Sequence, residues 1–418
     1  MRKRRSTVVL GLALPFLLLT PSTSAQADSV RSQQWYLDAM DADEMWKTST
    51  GSGITVAVVD TGVQADLPGL RGQVLPGRDF SGLPGGATSD YEGHGTMMAE
   101  FVAANGKGDG GEGGFGLAPG AKILPVRVVT DKVPEALAVA GHAPNLDADF
   151  AKAIRYAADS DARIISISLA NTDENKLEAA ALNYALAKGK LVFAAAGNSG
   201  QKGNYVLYPA AHPGVVGVGA VNKDLEVTAE SERGPQVALV APGDDMHSSC
   251  KGGTGVCASH GTSDATALAS AAAALVWSKH PDWTANQVLR VLINTAGRAQ
   301  SGEQRNDKVG YGLIRPRIAL KDPGDPGPAN VSPLTGKATS DERNSPFAQL
   351  PESTAGSVVS PTEKSTKRHS GVGLKWVACV IAVIALGGLG LAVSVIIRRR
   401  RAGSLSTDTS RSNCEPYR

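Results

Sequence analysis

The sequence predicts a three-layer α/β domain with a mostly parallel central sheet, followed by a single C-terminal transmembrane helix. Three observations predict it. Continuous β-branched runs bounded by glycine recur between Ile54 and Val240. Helical patterns separate several of these runs, which is how parallel strands are connected. Finally, Leu374 to Ile397 is apolar and carries no charge.

Taken in order, residues 2–5 are Arg-Lys-Arg-Arg, an apolar run covers Val8 to Leu19, and Ala25-Gln26-Ala27 forms an A-x-A site. This is the pattern of a secretory signal peptide, residues 1–27, cut after Ala27. The run Ile54 to Val59 is apolar and continuous, as expected of a strand buried on both faces, and Asp60 closes it. Similar runs lie at Ile123 to Val129, Ile164 to Leu169, Leu191 to Ala196, Val215 to Val221 and Val237 to Val240. Helical patterns cover His94 to Ala104, Ala148 to Ser160 and Glu174 to Lys188, the last stopped by Gly189. Gly108 to Gly116 lacks the Lys-Ser or Lys-Thr of a phosphate loop and reads as a flexible insertion. Ser263 to Lys279 is helical, and Thr284 with Gln287 forms a capping box for the next helix.

From Asp322 to Gly373 the chain is rich in Pro, Ser, Thr and charge, which predicts a disordered stalk after a domain spanning 28–321. The apolar stretch 374–397 reaches ~36 Å as a helix at ~1.5 Å per residue, enough for a ~30 Å hydrocarbon core. Arg398 to Arg401 follow it and hold the tail, 398–418, in the cytoplasm. The domain is then expected outside the cell, on the cell membrane. Net charge is +2 and aromatic content 5%, so no basic field points to nucleic acid. Of the 4 cysteines, Cys250 and Cys257 lie in the domain and are the disulfide candidates.

Three short segments carry chemistry: Asp60-Thr61-Gly62, His94-Gly95-Thr96 and Gly261-Thr262-Ser263. A serine hydroxyl becomes a nucleophile when an imidazole takes its proton and a carboxylate fixes that imidazole. The order Asp, His, Ser separates this set from α/β-hydrolases and chymotrypsin-like enzymes. No pair among the other histidines has metal-ligand spacing, and His260 reads as structural.

On these segments the chain from about Trp35 to Leu320 resembles the subtilisin-like serine peptidases, and within them the mycosins that accompany type VII secretion. Val-Val-Asp-Thr-Gly at 58–62, Gly-His-Gly-Thr at 93–96, Ala-Ala-Gly-Asn-Ser-Gly at 195–200 and Gly-Thr-Ser at 261–263 carry the likeness. The resemblance implies a catalytic set of Asp60, His94 and Ser263, with Asn198 as oxyanion donor. It also implies that Ser168, Leu169 and Ala170 pair with an extended polypeptide substrate, and that the arm around Trp35-Tyr36-Leu37 packs on the domain. No cofactor is implied, and no residue is assigned to a metal. Secretion-complex subunits are the possible partners. Two functions are expected to compete: an extracytoplasmic endopeptidase cutting exported polypeptides, or an interaction subunit in which proteolysis is dispensable.

The chain also departs from the family. Asp264-Ala265-Thr266-Ala267 stands where an apolar residue, Ala, a small residue and Pro are usual. Ala170 replaces a frequent glycine, and Gly-Thr-Met-Met-Ala-Glu follows His94 where a second histidine and a glycine are common. Only a short arm separates the expected cleavage site from Ile54, so activation by removal of a long prodomain is not expected.

Overall fold

The computed structural model describes residues 29–338 except 109–110, 129, 131–145, 174, 254 and 299–301. The expected signal peptide, transmembrane helix and tail lie outside the described residues, as does most of the expected stalk. Among the described residues no helix is long and apolar enough to cross a membrane.

Among the described residues a 3-10 turn (Arg31–Gln33) and two short helices, α1 (Trp35–Ala39) and α2 (Ala42–Trp46), come before β1 (Thr55–Asp60) and β2 (Arg78–Asp79). Next come α3 (His94–Ala103), β3 (Asn105–Gly108), β4 (Gly111–Phe115), β5 (Lys122–Arg127), α4 (Leu146–Asp159), β6 (Ile164–Ile167) and α5 (Lys176–Ala187). Then follow β7 (Leu191–Ala195), β8 (Val216–Val221), β9 (Val237–Pro242), β10 (Met246–Ser249) and β11 (Val256–Ser259). The helices α6 (Thr262–Lys279), α7 (Ala285–Asn294) and α8 (Pro316–Lys321) complete the series.

Seven strands form one sheet in the order β2-β5-β1-β6-β7-β8-β9, and every pairing is parallel. Strand β1 lies inside the sheet between β5 and β6, and its alternate residues serve two cores. Val56 and Val58 face the core built on α3 and α6, whereas Ala57 and Val59 face the one built on α4 and α5. Such burial on both faces explains why the strands read as unbroken apolar runs. Helix α6 is buried along nearly its whole length, and its run of alanines lets it lie close beneath the strands. Helix α7 carries the complete capping box of Thr284 and Gln287.

Two segments differ from the expectations, each for a visible reason. The glycine-rich stretch is not a free insertion: β3 and β4 pair antiparallel, and the side chain of Gln34 bonds both backbone groups of Phe115 at 2.9 Å. The Pro-rich segment expected to leave the domain at Asp322 stays on it to residue 338. Arg290 on α7 donates to the carbonyls of Pro326, Pro328 and Val331, and Gln287 Nε2 donates to Gly327 O. Main-chain carbonyls need no apolar periodicity to be held, so composition alone gave no sign of this strap. The arm packs as expected, with Tyr36 and Leu37 fully buried.

Candidate active site

Parallel sheets open their loops at the C-terminal ends of strands, and the chemistry-bearing residues collect there. Asp60 ends β1 and is completely buried. Its Oδ1 accepts the Thr61 N–H at 2.8 Å and lies 2.7 Å from Nδ1 of His94, the first residue of α3. That contact fixes the imidazole's orientation and favours the Nδ1–H tautomer, leaving Nε2 for a substrate-side proton. His94 remains 31% exposed.

The start of α3 is built by Thr61, whose segment the sequence marked without giving it a role, and by Asp90, which sequence reasoning missed. Thr61 Oγ1 accepts the Gly95 N–H and donates to Asp90 Oδ1, both at 2.9 Å. The buried Asp90 accepts from Glu92 and Gly93 N–H on Oδ1, and from the Thr96 N–H and hydroxyl on Oδ2. These bonds satisfy N–H groups that a helix start leaves open, and so they hold His94 against β1. Gly95 is required for that approach, because a Cβ there would lie 2.3 Å from Gly62 O. Behind this loop the buried Arg127, the last residue of β5, donates to Pro84 O at 2.8 Å and Gly86 O at 3.1 Å. Its guanidinium lies 4.9 Å from the centroid of the Tyr91 ring.

Ser263 is the second residue of α6. Its hydroxyl donates to Ser168 O at 3.2 Å, and the Ser168 hydroxyl donates to Ser263 O at 3.2 Å. Strand β6 was expected to run to Leu169, but its pairing stops at Ile167. Ser168 is buried, Leu169 half-buried against the core of α4 and α5, and Ala170 exposed, so Ser168 braces the α6 turn and the chain reaches the surface at Ala170.

Asn198, after β7, is exposed, and its Oδ1 accepts from the N–H of Thr262 at 2.9 Å and its hydroxyl at 3.0 Å. The amide NH₂ is thereby left as the outward donor. Gly261 has φ +135°, and a Cβ there would sit 2.9 Å from Asn198 Nδ2. The Gly-Thr ahead of Ser263 therefore serves the asparagine as well as the serine.

The Cys250–Cys257 disulfide is formed and closes the hairpin of β10 and β11, just ahead of Ser263. In this hairpin's tip, Lys251 Nζ donates to Tyr91 O at 2.8 Å and the Gly252 N–H to Gln64 Oε1 at 3.0 Å. The tip thus ties the segment before His94 to the segment after Asp60.

Buried ionisable groups surround this set. Burial pushes the Asp264 carboxyl up to about 7, against the opposing bond from the Ser259 hydroxyl at 2.8 Å and the charges of His94 and His260. Burial likewise pushes Glu100 on α3 up to about 8. His260 is not idle: its Nδ1 lies 2.8 Å from Glu230 Oε1, and that bond raises its pKa. Among the described residues, no group of three or more His, Cys, Asp or Glu is arranged to hold a metal ion.

A carboxylate–imidazole pair, a helix-heading serine and an anchored amide donor form a set suited to acyl transfer. The subtilase family, Peptidase S8, matches residues 51–312, more than half of the chain. The chain belongs to the subtilase family. This is the family of subtilisin-like serine endopeptidases. Fervidolysin of Fervidobacterium pennivorans is 31% identical over 71% of this chain, although the chain spans only 45% of that relative's length. Mycosin-1 of Mycolicibacterium smegmatis is 30% identical over 68% of this chain and 72% of its own. The crystal structure of MycP1 from Mycobacterium smegmatis matches with a TM-score of 0.61 at 29% identity, covering 74% of this chain and 88% of that one. The periplasmic assembly of the ESX-5 inner membrane complex contains a chain that matches with a TM-score of 0.62 at 25% identity, covering 83% and 92%. Mycosins are thus among this subtilase's near neighbours in both sequence and structure.

Proposed function

We propose that this subtilase is a serine endopeptidase that cleaves exported polypeptides from a position anchored to the outer face of the cell membrane. The observation that carries the reading is the 2.7 Å contact between the buried Asp60 and His94, with Ser263 at the head of the adjoining α6. In this mechanism Ser263 Oγ attacks the scissile carbonyl carbon while His94 Nε2 takes its proton, and Asp60 stabilises the imidazolium. The carbonyl oxygen becomes an oxyanion, held by the Asn198 amide and the Ser263 N–H. His94 then returns the proton to the leaving amine, the C–N bond breaks, and an acyl-enzyme remains. Water, deprotonated by His94, attacks that ester and releases Ser263.

Substrate would lie extended along Ser168, Leu169 and Ala170, gaining main-chain hydrogen bonds beyond the end of the β6 pairing. The Ala170 methyl narrows that path relative to glycine. The signal-peptide pattern at 1–27, the apolar stretch 374–397 and the arginines behind it support the anchored location.

Wild-type protein should react with a fluorophosphonate probe, and Ser263→Ala should not. Equal labelling of the two would sink the peptidase reading. The likeness to a chain of the ESX-5 inner membrane assembly favours a second role, as a subunit of a secretion complex. If Ser263→Ala restores secretion to a deletion strain as fully as wild type, the interaction role alone accounts for the function.

A further inference from the structure

The carboxyl of Asp264 follows the nucleophile directly, is 2% exposed, and is not used by the mechanism above. Its Oδ2 accepts the hydroxyl of Ser259, the last residue of β11, at 2.8 Å. That bond closes a small ring of chain holding His260, Gly261, Thr262 and Ser263. The ring therefore contains the nucleophile, and also Thr262, whose N–H and hydroxyl anchor Asn198.

The groups facing Asp264 come from several elements. His94 on α3, His260 in the turn itself and Glu230 before β9 act on its charge, and Asp264 in turn acts on the Tyr36 phenol of α1. The charge of Glu100 on α3 acts on the same Tyr36 phenol. The two histidines attract a negative charge on Asp264, whereas Glu230 and burial oppose it. Attraction between two charged groups is mutual, so an ionised Asp264 favours the imidazolium of His94.

We propose that Asp264 is a positioning residue: through Ser259 it braces the turn that carries Ser263 and Thr262, and as a buried carboxylate beside the nucleophile it sets the pH at which the site becomes reactive. This rests on the peptidase reading and refines it. His94 must be neutral to accept the Ser263 proton. A carboxylate that holds the proton on His94 delays that neutral form to higher pH. With its titration near 7, Asp264 exerts this effect within the range where an imidazole itself titrates.

The test is the second-order rate of fluorophosphonate labelling of the full-length protein between pH 5 and 9. Asp264→Asn keeps an acceptor for Ser259 but carries no charge, so the midpoint of the rising limb should move to lower pH by about half a unit or more. Ser259→Ala removes a bond that favours the carboxylate form, and should move the midpoint the same way by less. Asp264→Glu should return the midpoint toward wild type. A purely structural residue would lower the plateau rate and leave the midpoint alone. An unchanged midpoint in Asp264→Asn overturns the proposal. If that variant does not fold, an unchanged midpoint in Ser259→Ala overturns it instead. Labelling that is absent in wild type at every pH overturns the peptidase reading and this inference together, whereas Ser263-dependent labelling with an immobile midpoint overturns the inference alone.

Discussion

Asn198 and Glu100 illustrate two ways in which a single side chain matters here. Asn198 is anchored through its oxygen by Thr262 and presents its amide outward, so its contribution should appear only when an oxyanion forms. Asn198→Ala should lower kcat by about 10²–10³-fold, roughly 3–4 kcal/mol of barrier, with little change in KM. Steady-state kinetics on a peptide substrate check this, and an equal rise in KM at constant kcat would assign Asn198 to ground-state binding. Glu100 acts through stability. Its folded pKa of about 8 lies above its ordinary 4.5, so the native state keeps a proton that the unfolded chain has lost. Stability therefore falls as pH rises between these values and levels off above them. At ~1.4 kcal/mol per pKa unit the loss is on the order of 5 kcal/mol, with Asp264 adding to it in the same direction up to about 7. Urea denaturation at pH 5 and pH 9 should show Glu100→Gln losing less stability than wild type across that interval. Parallel losses would show that Glu100 ionises freely in the fold.

At the scale of elements, legibility followed the kind of bond that holds each segment. Strand β1 and its neighbours β5 to β9 were readable because burial on both faces demands unbroken apolar runs, and α7 because its cap is written in Thr284 and Gln287. The hairpins β3–β4 and β10–β11 were not, since their glycine, serine and lysine show no alternation. Asp90 was missed because a lone aspartate in a loop looks like a turn residue, and only the fold brings it to the N–H groups of α3. Ser168 was expected to pair with substrate, and its carbonyl's contact with Ser263 is a main-chain feature that no residue type announces. The strap on α7 belongs to the same class, because Arg290 reads carbonyls and not side chains. Arg290→Ala should release residues 326–331, seen as faster amide hydrogen exchange there while α6 keeps its protection. Unchanged exchange in the strap would mean that Gln287 and Thr284 suffice to hold it.

For the whole molecule, the sheet gathers Asp60, Ser168 and Asn198 from the ends of adjoining strands β1, β6 and β7, while α3 and α6 bring His94 and Ser263 from the face beneath. The disulfide hairpin ahead of Ser263 then ties two of the catalytic segments from outside, through Lys251 to the His94 loop and Gly252 to the Asp60 loop. Fold and site thus depend on one arrangement, and its central claim is that Ser263 is an activated nucleophile. Mass-spectrometric mapping of the fluorophosphonate adduct on the full-length protein tests this most directly. The account predicts one adduct, on Ser263, lost in His94→Ala. An adduct on another residue, or none on a protein whose circular dichroism shows the fold intact, would contradict it.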